Sequence, residues 1–492
     1  MRKLLQLFIG VCVLLAGANI PPAAWAQTPI ILDPQVFDWL KSNISPITHL
    51  PYSFYVPRKD RSKIYGLMGS AESVKGSIER MITHEGMDIY DGAVYQIVLA
   101  MAGGRDNLDR ASLVDRYYWQ GAVGDTWNIR AGYPINTFIY DPKHPDRVSS
   151  DNNRFGKRGF IFRIIDADGN YLVTDPLDGN KYLPGFPDGS RLHWVDWKPV
   201  AGENAWVVIA AMQLYHKKPD SIELKLSQEL ARAAMILQSP IGGIRMAPLG
   251  TNRTLSKAEA AYFTAGDWWY NHISTENNIS WYAAFRMLYQ ITGQVKYKHA
   301  MEGIQRYLRF VWDPQQGYFA QGAYCINGRW VKDHKNFALD VQTWSIACLG
   351  PEKLDAWFGP GAAWRIWQAG RRHSGVFDKQ GGLLGVGYTD EHDRISVEWS
   401  AGAMVALMEL FRYYQSTDPA RAARALRDKD SMRRSMEGLH YDISPTLAAY
   451  SYSSRRGWIP FGWNSHDPRV MSLASSGWML FVDAGFNPFW LL

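Results

Sequence analysis

The chain has 492 residues, 53 Lys and Arg against 47 Asp and Glu, and 14% aromatic residues including 21 Trp. The near balance of charge gives no nucleic-acid footprint, and the basic cluster Arg421, Arg424, Arg427, Lys429, Arg433 and Arg434 falls at helical spacing, as a solvated outer face does. No His-Glu-x-x-His run, Gly-rich phosphate loop or Gly-x-Ser-x-Gly elbow occurs, so no metal and no cofactor is expected.

Arg2 and Lys3 precede an apolar run from Leu7 to Ala18, and Ala24-Trp25-Ala26 offers a small-x-small cleavage site before Gln27. Residues 1–26 are therefore expected to be a signal peptide, and residues 27–492 one exported domain, periplasmic or secreted, with no membrane span after cleavage. Residues 27–70 read as irregular, punctuated by Pro34, Pro46, Pro51 and Pro57. A helix-like pattern over Ala71 to Ile82 leads to an apolar helix from about Asp91 to Ala102, with a return helix within Asp109 to Tyr118. Near residues 158–175, two β-like runs, Gly159 to Ile165 and Tyr171 to Thr174, flank Asp166-Ala167-Asp168-Gly169-Asn170, which reads as a hairpin turn. Val207 to Tyr215 is apolar and Ile222 to Leu237 amphipathic. The alternation continues through Tyr297 to Val311, Leu354 to Ala369 and Pro419 to Met436, and the last apolar helix spans Ser475 to Val482. Cys325 and Cys348 are left after cleavage, and their bonding state is open.

One local grammar organises these segments. In Thr275-Glu276-Asn277-Asn278-Ile279-Ser280-Trp281 a capping residue, a carboxylate and two amides open a strongly apolar helix. Polar starts of the same kind recur at Asp91-Gly92, Glu203-Asn204, Asp340-Val341-Gln342, Glu398-Trp399-Ser400 and Ser475-Ser476. Helices apolar on all sides must be buried on all sides, whereas striped partners must face water. Six buried helices encircled by six amphipathic ones satisfy both demands. If the chain goes in along one and out along the next, the six polar starts gather on one rim.

This pattern resembles the six-hairpin glycosidase-like superfamily, whose fold is an all-α (α/α)6 toroid. The resemblance implies six inner and six outer helices with a site at the mouth. It covers inverting glycoside hydrolases, polysaccharide lyases, sugar epimerases and inactive members alike, and no specific catalytic family matches.

Inverting hydrolysis needs a protonated carboxyl for the leaving oxygen and an ionised one for water. Glu276, among Trp268, Trp269, Trp281 and Tyr282, is the expected acid, and Asp340 the expected base. Asp91, Glu203 and Glu398 are further rim acids expected to bind substrate. The competing reading is that each acid caps its own helix. Trp206, Trp269, Trp281, Trp344 and Trp463 are expected as sugar-stacking rings, with His272 beside them. The expected partner is a carbohydrate, and the leading activity is an inverting glycoside hydrolase. A lyase or epimerase using His84, His193 or His272, or a non-catalytic glycan-binding protein, stays open.

Overall fold

The computed structural model describes residues 32–68, 79, 82–123, 159–161, 163–168, 173–174, 181–182, 199–249 and 268–492. The expected signal peptide, most of the stretch 71–82, His193 and the turn at Gly169-Asn170 lie outside the described residues.

Six helices form a closed inner ring. They are α2 (Ile89–Ala102), α4 (Ala201–Lys217), α6 (Thr275–Thr292), α8 (Leu339–Leu349), α11 (Val397–Tyr414) and α13 (Leu473–Asp483). Each packs on the next, and α13 closes the ring against α2. Their sequences leave no alternative: every residue of α2 except Tyr90 and Ala102 is buried, and α4 is buried without interruption from Asn204 to Leu214. Outside them lie α1 (Pro34–Ser42) on α13, α3 (Arg105–Val123) on α2, α5 (Ser221–Ile236) on α4 and α7 (Val295–Val311) on α6. The consecutive pair α9 (Pro351–Phe358) and α10 (Ala362–Ser374) covers α8, and α12 (Pro419–Met436) covers α11. One hydrophobic cluster runs from Val36 to Phe489. Among the described residues no helix is long and apolar enough to cross a membrane.

The inner helices are set in register by a repeated side-chain latch. Asn204 accepts from the Ile161 N–H and donates to its carbonyl, both at 3.0 Å. Asn278 does the same to Ile244 (2.7 and 3.0 Å), Gln342 to Phe319 (3.0 and 2.9 Å) and Ser400 to Val386 (3.0 and 3.4 Å). Ser476 accepts from the Tyr450 N–H at 3.0 Å. Four of the five also donate to the carbonyl four residues back, at Val200, Ser274, Ala338 and Ser472. Each latched segment belongs to the connection arriving from an outer helix, so buried peptide groups that point away from the local strand pairs are satisfied by the next inner helix, the Val386 carbonyl also accepting from the Ser396 N–H at 2.9 Å. The sixth equivalent is Gly92, which has no side chain.

Three local readings of the sequence need correction, and one open question is answered. Residues 34–42 are helical, not irregular: Asp33 accepts from the Gln35 and Val36 N–H groups, Pro34 sits in the first turn, and Val36, Trp39 and Leu40 bury against the ring as the sixth outer helix. The expected helix from Leu354 to Ala369 is broken at Gly359-Pro360-Gly361, where both glycines have positive φ (90° and 76°). In the expected β insertion, β2 (Ile164–Asp166) pairs antiparallel with β1 (Gly86–Asp88), and β3 (Val173–Thr174) pairs with β4 (Lys181–Tyr182), rather than the two runs pairing with each other. Cys348 lies buried near the inner end of α8 and Cys325 in the hairpin β6 (Gly322–Ile326) and β7 (Arg329–Asp333), and both are free thiols.

Asn278→Ala leaves the buried Ile244 N–H and C=O without partners and is expected to cost about 2–4 kcal/mol in denaturant unfolding. A loss under about 0.5 kcal/mol, the level of an ordinary surface change, contradicts the latch.

Candidate active site

The latches give a common register. Two residues before each stands one equivalent position per inner helix: Tyr90, Gly202, Glu276, Asp340, Glu398 and Ala474. Three consecutive inner helices therefore present an acid at the same level. Asp91 and Glu203 are one residue further on. These acids are not the helix caps. Asp88, Ser274, Ser396 and Ser472 accept from the first-turn N–H groups instead, while Val200 and Ala338 lead into their helices without a side-chain cap. Asp340 does accept from the adjacent Val341 N–H at 2.7 Å.

The acids share one electrostatic environment. Burial first, and then the Glu203 and Glu398 carboxylates, raise Glu276 from 4.5 to about 7 against opposing hydrogen bonds from Ser280 (2.9 Å) and Asn277. Asp340 is raised well above its ordinary value by burial, then by Glu276, with Glu398 adding to it. Glu398 is raised to about 7 by burial against a Tyr90 hydrogen bond of 2.6 Å, and Asp91 is raised by burial and by Asp88. Helix N-termini favour carboxylates by about 0.3–1 kcal/mol each. Moving Glu276 to about 7 corresponds to about 3 kcal/mol toward the neutral form. Desolvation and mutual repulsion thus outweigh the dipoles, and the bowl holds protons at neutral pH. Glu276, Asp340 and Glu203 nevertheless keep partial solvent contact, so they line a concavity rather than a sealed core. Arg163, which the sequence reading missed, pairs with Glu203 at 2.7 Å and reaches Asp88 at 3.8 Å.

One turn below the acids the axis is filled by alternation. Trp206, Trp344 and Trp478 stand four residues after the equivalent position on α4, α8 and α13, with Val94, Ser280 and Gly402 at that level on the helices between. The three indoles meet at ring separations of 5.2–5.7 Å, with Phe489 packed against all three. A Cβ at Gly402 would lie 2.9 Å from Trp344 Nε1, so the large rings need the small partners. Trp206 (1% exposed) and Trp344 (5% exposed) are packed in this layer, so they support the bowl from beneath and present no open ring face to it.

Trp281 is one residue out of that register. It is fully buried, stacked on Phe160 at 5.9 Å, and donates to the Ala201 carbonyl at 2.8 Å, so it packs between helices and offers no face to a sugar. Trp269 is half-buried beside the exposed Trp268. His272 stacks on Trp268 and its Nε2 lies 3.2 Å from Asp333, on the sheet of β5 (His272–Ser274), β6 and β7. Trp463 is half-buried on the hairpin β8 (Gly457–Ile459) and β9 (Trp463–Ser465), and its Nε1 donates to Tyr452 at 2.8 Å. Arg455 makes an exposed surface ion pair with Asp393, whereas Arg456 makes a largely buried one with Glu79.

The raised carboxyls predict a pH dependence of stability. Glu276 and Glu398 hold protons in the folded state that the unfolded chain has released, so their contribution is complete below about pH 4.5 and lost as pH rises through about 7. Denaturant midpoints are expected to fall between about pH 5 and pH 8, and Glu276→Gln to flatten the fall. Identical slopes in wild type and variant contradict the assignment.

No family model matches the chain, and no curated protein matches its sequence. Among solved structures it is similar to a sugar epimerase from a ruminal bacterium (TM-score 0.54, 12% identity, covering 92% of this chain and 96% of that one). It is also similar to the cellobiose 2-epimerases of Spirochaeta thermophila (0.54, 12%, 93% and 94%) and Bacillus thermoamylovorans (0.53, 10%, 91% and 94%). The chain has the fold of the six-hairpin glycosidase-like proteins, the (α/α)6 toroid.

Proposed function

We propose that the protein is an exported carbohydrate-active enzyme, an inverting glycoside hydrolase acting on a polysaccharide or oligosaccharide. The observation that carries this reading is that Glu276 and Asp340 stand at the same level of adjacent inner helices in one desolvated and partly open bowl, where the Glu276 charge helps to raise Asp340. Such a pair titrates as a unit and holds a proton donor beside an ionised carboxylate at neutral pH, as inversion requires. The electrostatics favour roles opposite to those expected from sequence. Asp340, raised by burial and by both glutamates, is the proton donor; Glu276, with both oxygens accepting hydrogen bonds, is the base that activates water. Asp91, Glu203 and Glu398 supply further polar contacts, Trp206 and Trp344 support them from beneath, and Trp269, His272 and Trp463 form the rim. An epimerase would pass its proton through histidine or tyrosine; His272 is engaged by Asp333 and Met246, His84 packs edge-on against Tyr65, and the Tyr90 proton is donated to Glu398. The charged and apolar pattern of residues 1–26 supports export.

Purified protein incubated with a glycan panel is expected to release reducing ends without unsaturated uronates. Unsaturated products, or an altered sugar with no cleavage, overturn the hydrolase reading. Asp340→Asn and Glu276→Gln should each lower turnover of an unactivated glycan by about 10²–10⁴-fold. An aryl glycoside with an acidic leaving phenol needs little protonation, so it should restore Asp340→Asn but not Glu276→Gln. Restoration of Glu276→Gln alone would return the roles to the sequence-based order.

A further inference from the structure

Tyr90 holds on α2 the position that Glu276, Asp340 and Glu398 hold on α6, α8 and α11. The register that supplies the acids therefore supplies a phenol in its first repeat. On α13, which lies between α2 and α11, the equivalent residue is Ala474, whose small side chain leaves the way open across that helix. Tyr90 reaches over it and donates to Glu398 Oε1 at 2.6 Å, and Trp478 Nε1 donates to the Tyr90 oxygen at 2.6 Å.

The direction of both bonds follows from the groups. An indole N–H can only donate, so it occupies a lone pair of the phenol and leaves the single phenolic proton for Glu398. Neither ring is free to turn: Tyr90 meets Trp206 edge-on at 5.1 Å and 82°, and Trp478 stacks on Trp344 at 5.6 Å and 15°. Oε1 of Glu398 is thereby occupied, while among the described residues no donor reaches Oε2.

We propose that Tyr90, oriented by Trp478, is a positioning residue that holds Glu398 in one conformation, with Oε1 occupied and Oε2 offered to a hydroxyl group of the bound sugar. Glu398 is then the acceptor that grips the substrate, distinct from the Glu276 and Asp340 pair that reacts with it. The substrate half of this inference rests on the carbohydrate reading above; the hydrogen-bond chain does not.

The test is Tyr90→Phe, which keeps the ring and removes the oxygen. In protein labelled with ¹⁵N-tryptophan, the Trp478 indole N–H, assigned with Trp478→Phe, is expected to shift on loss of its acceptor. In wild type that resonance should follow the titration of Glu398, and in Tyr90→Phe it should not. No substrate is needed for this arm, and an unmoved resonance overturns the chain of hydrogen bonds. With a glycan from the panel, a hydrogen bond to a charged group is worth about 10- to 100-fold in affinity. Tyr90→Phe should raise KM by that factor, or Kd where a glycan binds without turnover, with a proportionally smaller fall in kcat. An unchanged KM, or a fall confined to kcat, overturns the gripping role. A panel in which nothing binds or reacts overturns the carbohydrate reading and the gripping role together, while the indole arm still decides the Trp478–Tyr90–Glu398 chain.

Discussion

The arrangement depends on buried peptide groups that point away from the local strand pairs. Each connection from an outer helix back to the ring passes over the start of an inner helix, and its N–H and C=O must find partners there. Asn204, Asn278, Gln342, Ser400 and Ser476 meet that demand from one register position. Fixing the level of the helix starts fixes everything counted from them. Acids two residues above the latch come to one height, and rings two residues below it meet on the axis. The bowl is thus a consequence of how the backbone is satisfied, rather than a separate construction.

What is built there runs against the local helix electrostatics only in degree. Six N-termini give the mouth a positive potential that invites carboxylates, yet the carboxylates are crowded and partly dehydrated, and the second effect is the larger. The aromatic floor contributes to both sides of this balance. Trp206, Trp344 and Trp478 exclude water from beneath the acids, and Trp478 reaches up to orient the Tyr90 phenol. Charge, dehydration and orientation are therefore coupled through residues a single helical turn apart.

Much of this was legible in the sequence, because periodicity and burial are local in origin. Apolar-all-round helices alternating with striped ones gave the toroid, and the polar starts gave the rim. The amides and hydroxyls read as part of those starts proved to be the latches. What was not legible was phase. Asp91, Glu203 and Ser475 look like the counterparts of Glu276, Asp340 and Glu398, but the latch register places them one residue on, which hid Tyr90. The same slip separates Trp281 from Trp206 and Trp344. The helix at Pro34–Ser42 had a signal that was available, Asp33 as cap with Pro34 in the first turn, but its prolines read as loop punctuation. Arg163 pairs with residues 75 and 40 positions away (Asp88 and Glu203, from 163 − 88 and 203 − 163), and no local pattern announces such a contact.

The central claim is that acids remote along the chain share one bowl closely enough to govern each other's protons. The direct measurement is the titration of the Asp340 carboxyl, followed by ¹³C NMR in wild type and in Glu276→Gln. The account predicts an Asp340 pKa well above the usual carboxylate range that falls when Glu276 loses its charge. An Asp340 titration that is ordinary in wild type, or unmoved by the substitution, would contradict it.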